Sequence, residues 1–146
     1  MEPRQPVSGF TLNLALPLPY EQALPAVRAA LADKGFGILT EIDLAAVMKE
    51  KLGKDIAPQV ILGACRPPLA YQALQADPSV AAMLPCNVVL RSVDDGTTEV
   101  EAFDPDAMMS FSTGEAIAQV AADAKQRLIA TLEALRASNP TAEQES

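Results

Sequence analysis

Thiols are the most reactive side chains here and no imidazole accompanies them: the 146 residues hold two cysteines and no histidine. That absence removes Ser-His-Asp triads, Cys-His dyads, imidazole acid–base steps and every His-ligated metal site. Chemistry falls to carboxylates, lysines, tyrosines or the thiols. Cys65 stands at a corner in "ILGACRPPLAYQAL" (Ile61–Leu74), between an apolar strand-like run and a helix opened by Pro67 and Pro68. A helix N-terminus and the neighbouring Arg66 both favour an anion, so the sequence predicts a lowered Cys65 pKa and a reactive thiolate. Cys86 follows Pro85 at the start of another strand. If the two strands are neighbours, the thiols meet at one end of a sheet, placed to bind a soft metal ion, carry sulfur, or cycle between dithiol and disulfide.

The plain alternative is packing, because free cysteine is among the most often buried residues and behaves as a small hydrophobe. As zinc ligands, Cys65 and Cys86 supply half a site, which a homodimer would complete. Glu41 and Lys49 form an acid–base pair only if both face one pocket; otherwise they are solvated charges, with Asp43 a helix cap. Asn87, beside Cys86, either hydrogen-bonds a ligand or pairs with a turn. Met48, Met83, Met108 and Met109 lack close regular spacing and read as core filling rather than a copper-binding motif.

Composition narrows the partners. A net charge of −8 and a pI near 4.4 give nucleic acid no basic surface and set the chain against anionic membranes. Aromatic residues make up 4%, with no Trp, too few for a base-stacking platform. No apolar run approaches the roughly 20 residues of a membrane span. Asn13, Pro17 and Pro19 interrupt the apolar start, so no signal peptide is expected and the protein reads as soluble and cytoplasmic. Two cysteines far apart make no disulfide framework.

The elements that must position these residues follow from periodicity. Phe10–Leu16 alternates as a strand, with Phe10, Leu12, Leu14 and Leu16 on one face. Tyr20–Lys34 reads as a helix with Tyr20, Leu24, Val27 and Leu31 inward, capped by Gly35; Pro25 demands a later start or a bend. "FGILTEID" is a strand with Ile38, Thr40 and Ile42 on one face, followed by a helix capped by Asp43 and Gly53 with Leu44, Val47 and Met48 buried. "QVILGA" alternates too little to be half exposed and should be central or covered. A short helix covers Pro67–Ala76. "LPCNVVLRSV" and "TTEVEAF" form a hairpin around "DDGT", with positive φ at Gly96 and a solvated face at Glu99 and Glu101. "DPDAMMSF" is a turn or short helix. "STGE" predicts a capping box of Ser112 with Glu115, opening a long helix striped by Ile117, Val120, Ala121, Ala124, Leu128, Leu132 and Leu135. The sum is one two-layer α+β domain over residues 1–137, a mostly antiparallel sheet with helices on one face, then a polar, frayed tail over 138–146.

"KGFGILTEID", "KEKLG", "ILGACRPPLAYQAL" and "LPCNVVL" resemble, in this order, the motifs of the domain of unknown function family numbered 302, across about Phe10 to Met109. The resemblance implies a TATA-binding-protein-like architecture (strand, helix, four strands, helix), often homodimeric, and no activity. The family pattern often has Asn after the first cysteine, where this chain has Arg66.

Three functions are compatible with these residues. One is a module binding a small ligand, a sulfur species or a soft metal through Cys65 and Cys86, with Arg66, Asn87 and Glu41 as further candidates; it is the favoured reading, because no general base accompanies the thiols. The second is a dimeric assembly or regulatory domain in which both cysteines only pack. The third is a thiol-dependent redox enzyme. No cofactor is identifiable.

Overall fold

The computed structural model describes residues 9–112 and 114–140; residues 1–8 and 141–146, the ends of the apolar start and the polar tail, lie outside the described residues. In chain order the elements are β1 (Thr11–Leu16), α1 (Tyr20–Asp33), β2 (Gly37–Asp43), α2 (Leu44–Leu52), β3 (Gln59–Cys65) and α3 (Pro67–Ala76). A short 3-10 helix (Pro78–Met83), β4 (Cys86–Asp94), β5 (Thr97–Phe103), a second 3-10 helix (Pro105–Ser110) and α4 (Glu115–Ser138) complete them. The five strands form one antiparallel sheet in the order β1-β5-β4-β3-β2. This is the expected α+β class.

Register explains the core. Leu14 lies opposite Val100, Val100 opposite Leu90, and Leu90 opposite Val60, so one apolar row crosses four strands. All four are buried, together with Val27 and Leu31 of α1 and Leu128 and Leu132 of α4. Every predicted stripe position of α4 is buried, and its 24 residues run about 36 Å at 1.5 Å per residue. A second apolar cluster joins Leu69 and Ala73 of α3 to Val80, Met108, Ile117 and Val120.

Local signals read from the sequence operate at several element ends. Gly35 has φ +90 and follows α1; its N–H donates to Ala32 O at 3.0 Å, and that of Phe36 to Leu31 O at 3.0 Å. That is a Schellman end, and the buried Phe36 ring supplies its apolar contact. Asp43 Oδ1 accepts from the Ala46 N–H at 2.9 Å, and Gly53 closes α2 with φ +66.

Other expectations are corrected. Helix α1 begins at Tyr20 and runs through Pro25 rather than starting late, because Ala23, Val27 and Leu31 bury its inner face; Leu24 and Tyr20 are only half-buried. Phe10 precedes β1 and is 55% exposed. A bulge shifts the β2 register between Ile38 and Thr40, so Ile38 pairs with buried Ala64 while Thr40 and Ile42 pair with Gly63 and Ile61 on the opposite face. No residue of α2 is buried; Leu44, Val47 and Met48 are half-buried. Gly96 does not have positive φ; its N–H instead donates to Asp94 Oδ1 at 2.9 Å, an Asx turn. Glu99 and Glu101 face away from the helices yet are not solvated: Glu99 is 9% exposed, and Glu101 accepts from Arg91 at 2.5 Å and Thr11 at 3.0 Å. The capping box is absent, since Gly114 is the N-cap of α4 and Ser112 Oγ donates to Asp77 Oδ2 at 2.6 Å.

Candidate functional site

Cys65 ends β3 and Cys86 begins β4, and these strands are adjacent. Cys86 lies directly across from Ala64, so the two cysteines are one residue apart in register. Strand alternation alone would send them to opposite faces. At the strand end, however, where β3 gives way to α3, both line one cavity of about 30 Å³. Phe36, Leu69 and Ala73, Leu84, Met108 and Val120 make up much of the remaining wall, and Arg66 stands among the lining residues.

Each wall has a local cause. Phe36 is delivered by the end of α1, and Leu69 and Ala73 by the inner face of α3. Met108 sits on the second 3-10 helix, whose N-cap Asp104 and first-turn Asp106 are held to α4 by Lys125, with Nζ 2.6 Å from Asp106 Oδ2 and 3.2 Å from Asp104 Oδ2. Asp77 Oδ1 accepts from the Ser79 N–H at 3.0 Å and so opens the first 3-10 helix, while its other oxygen holds Ser112.

Cys65 departs from the lowered pKa expected of it. Both cysteines are free and half-buried. Burial pushes the Cys65 thiol up from its ordinary value. Cys86 is pushed up to about 11, first by burial and then by the neighbouring Cys65. Withdrawal from water outweighs the helix N-terminus and the adjacent arginine, because a thiolate among apolar walls loses its hydration. Both thiols therefore hold their protons at neutral pH.

The other candidates separate. Arg66 shares the cavity. Asn87 does not: it follows Cys86 on β4, pairs with Gly63, and lines a hollow on the opposite sheet face with Phe10, Thr11, Val89, Glu101 and Phe103. Glu41 is at the far edge of the sheet in an ion pair with Arg28 of α1, and Lys49 pairs with Asp55 at 3.1 Å, so no Glu41–Lys49 acid–base pair exists. Met108, read from the sequence as core filling, is 3% exposed and brings a third sulfur-bearing residue to the cavity. No spacing signal links it to the cysteines, since it arrives from a separate element. Among the described residues no three His, Cys, Asp or Glu gather to hold a metal ion. No described helix is long and apolar enough to cross a membrane.

Comparison with known proteins adds a lineage. The family model described as "Domain of unknown function DUF302" matches residues 12–135. Among solved structures, the crystal structure of the uncharacterized conserved protein DUF302 from Bacillus stearothermophilus superposes with a TM-score of 0.79 at 28% identity, covering 88% of this chain and 100% of that one. No curated protein matches the chain.

Proposed function

The chain belongs to the domain of unknown function family DUF302, and from that premise, which carries a fold and no activity, we propose that it binds a soft monovalent metal ion, Cu(I), through Cys65 and Cys86. One observation carries the reading: both cysteines and Met108 line a single small cavity with largely apolar walls. Thiolate and thioether sulfur select Cu(I) over harder ions. Volume argues for an ion over an organic ligand, since the cavity measures about 30 Å³ and small-molecule pockets run to roughly 300–1,000 Å³. Zinc requires four ligands, and a second copy of the chain would have to supply the missing two. Binding replaces the two thiol protons, so affinity rises with pH. The reading takes the chain to work in a reducing compartment such as the cytoplasm, where thiols persist.

Anaerobic competition against a chromophoric Cu(I) chelator tests this. The native chain is expected to take one Cu(I), and Cys65→Ala or Cys86→Ala to weaken binding by at least about 100-fold, beyond the 10–100-fold typical of losing an outer-shell partner. Met108→Leu should cost less than either. Equal Cu(I) affinity in native protein and both cysteine variants would leave the cysteines as packing residues only.

A further inference from the structure

Resting on that metal-binding reading, we propose that Arg66 selects the donor of the ion: a small anionic thiol whose sulfur carries Cu(I) and whose carboxylate the guanidinium takes. Arg66 lines the cysteine cavity and is half-buried. Arg28, Arg91 and Arg127 each hold a carboxylate, from Glu41, Glu101 and Asp123. No described carboxylate pairs with Arg66, although the chain carries a net charge of −8 and acidic partners abound.

Its side chain passes close to the end of α1. Arg66 Nε stands 3.1 Å from the point a Cβ at Gly35 would occupy, and Arg127 Nη1 stands 3.8 Å from the same point. The left-handed glycine that ends α1 thus leaves room for the Arg66 side chain between the end of α1 and the cavity. Arg127 is neutralised by Asp123 at 2.6 Å and donates to Lys34 O at 3.1 Å. Arg66 keeps an uncompensated charge beside a second guanidinium, partly withdrawn from water, where attraction for an anion exceeds that of a fully exposed arginine. A guanidinium fork matches a carboxylate with two parallel hydrogen bonds, which adds orientation to attraction.

The transfer balances without redox. The bond from copper to the carrier sulfur breaks as the bond from copper to Cys65 Sγ forms, and the Cys65 proton passes to the departing carrier sulfur. Copper stays Cu(I) throughout. Coordination by Cys86 then releases its proton to water.

Two measurements on the full chain test the role of Arg66. In the metal-free protein, alkylation of Cys65 by iodoacetate and by iodoacetamide is followed at one pH by peptide mass. Arg66→Gln is expected to lower the iodoacetate-to-iodoacetamide rate ratio by roughly 5–10-fold, and Arg66→Lys by less, because local charge raises anion encounter rates. An unchanged ratio overturns the proposal whatever the metal does. In the second, Cu(I) is supplied as its complex with glutathione or with neutral 2-mercaptoethanol. Arg66→Gln should slow uptake from glutathione about tenfold while uptake from 2-mercaptoethanol stays within about twofold. Equal slowing from both carriers overturns selection of the anionic donor while leaving metal binding in place. A native chain that takes copper from neither overturns the metal reading and this one with it.

Discussion

Cys65 and Cys86 stand at the end of β3 and the start of β4, one position out of register, and reach the same cavity from two strands. Because burial and Cys65 hold the Cys86 proton, its thiol titrates near 11 in the folded chain against about 9 ordinarily. The folded state therefore keeps a proton that the unfolded state loses above pH 9. Stability from this group is fully present below pH 9 and is lost as pH rises through about 11. Denaturant midpoints measured from pH 8 to 11 should fall for the native chain, with a shallower fall in Cys86→Ala. Parallel slopes in both proteins would contradict the assignment.

Gly63 lies opposite Thr40 at the β2 bulge, and a Cβ there would fall on Thr40 Oγ1 and come within 2.7 Å of Pro85 Cγ. Gly63→Ala is expected to destabilise by about 1–3 kcal/mol, the usual cost of overpacking a filled site. Thr40→Ala removes one of the two obstacles, so the double variant should recover part of the loss in urea unfolding. A double variant no more stable than Gly63→Ala would place the strain elsewhere.

Ser112, 6% exposed, donates to Asp77 at 2.6 Å and joins the first 3-10 helix to the segment entering α4. Removing the hydroxyl in Ser112→Ala should cost about 1–3 kcal/mol, the range for a buried bond to a charged group. Asp77→Ala should cost more, since Asp77 also accepts from the Ser79 N–H. Thermal unfolding of the two variants ranks them directly.

Pro25 occupies an exposed position inside α1 and offers no N–H to the helix. Pro25→Ala restores one backbone bond without touching the core and is expected to stabilise the protein by about 1–3 kcal/mol, less than the full proline penalty of about 3. A lower melting temperature would mean that the proline ring contributes more by restricting the unfolded chain.

The parts of the fold legible in the sequence were those governed by one element at a time. The α4 stripe from Ile117 to Leu135 is fully buried because helical period alone decides which side chains share a face. Asp43, Gly35 and Gly53 act where they were expected because caps depend on residues within one turn. Ser112 carried an equally local signal, yet α4 opens two residues later at Gly114, and the Ser112 hydroxyl donates to the distant Asp77. The β2 faces depart from strict alternation for a related reason: a one-residue bulge is set by pairing with β3 and reverses every side chain beyond it.

Within the candidate site, the sequence by itself determined the chemical inventory: two thiols, no imidazole, an arginine after the first cysteine, and a strand-to-helix corner that places them. It also contained the reason Asn87 leaves the site, because neighbours on a strand point to opposite faces. Only the tertiary structure decided that Cys65, Cys86 and Met108 border one cavity, that burial raises the thiols, and that Arg66 has no carboxylate partner among the described residues. Those are properties of the space between elements. Desolvation and ion pairing depend on which surfaces meet, and a local pattern carries no record of its distant partner.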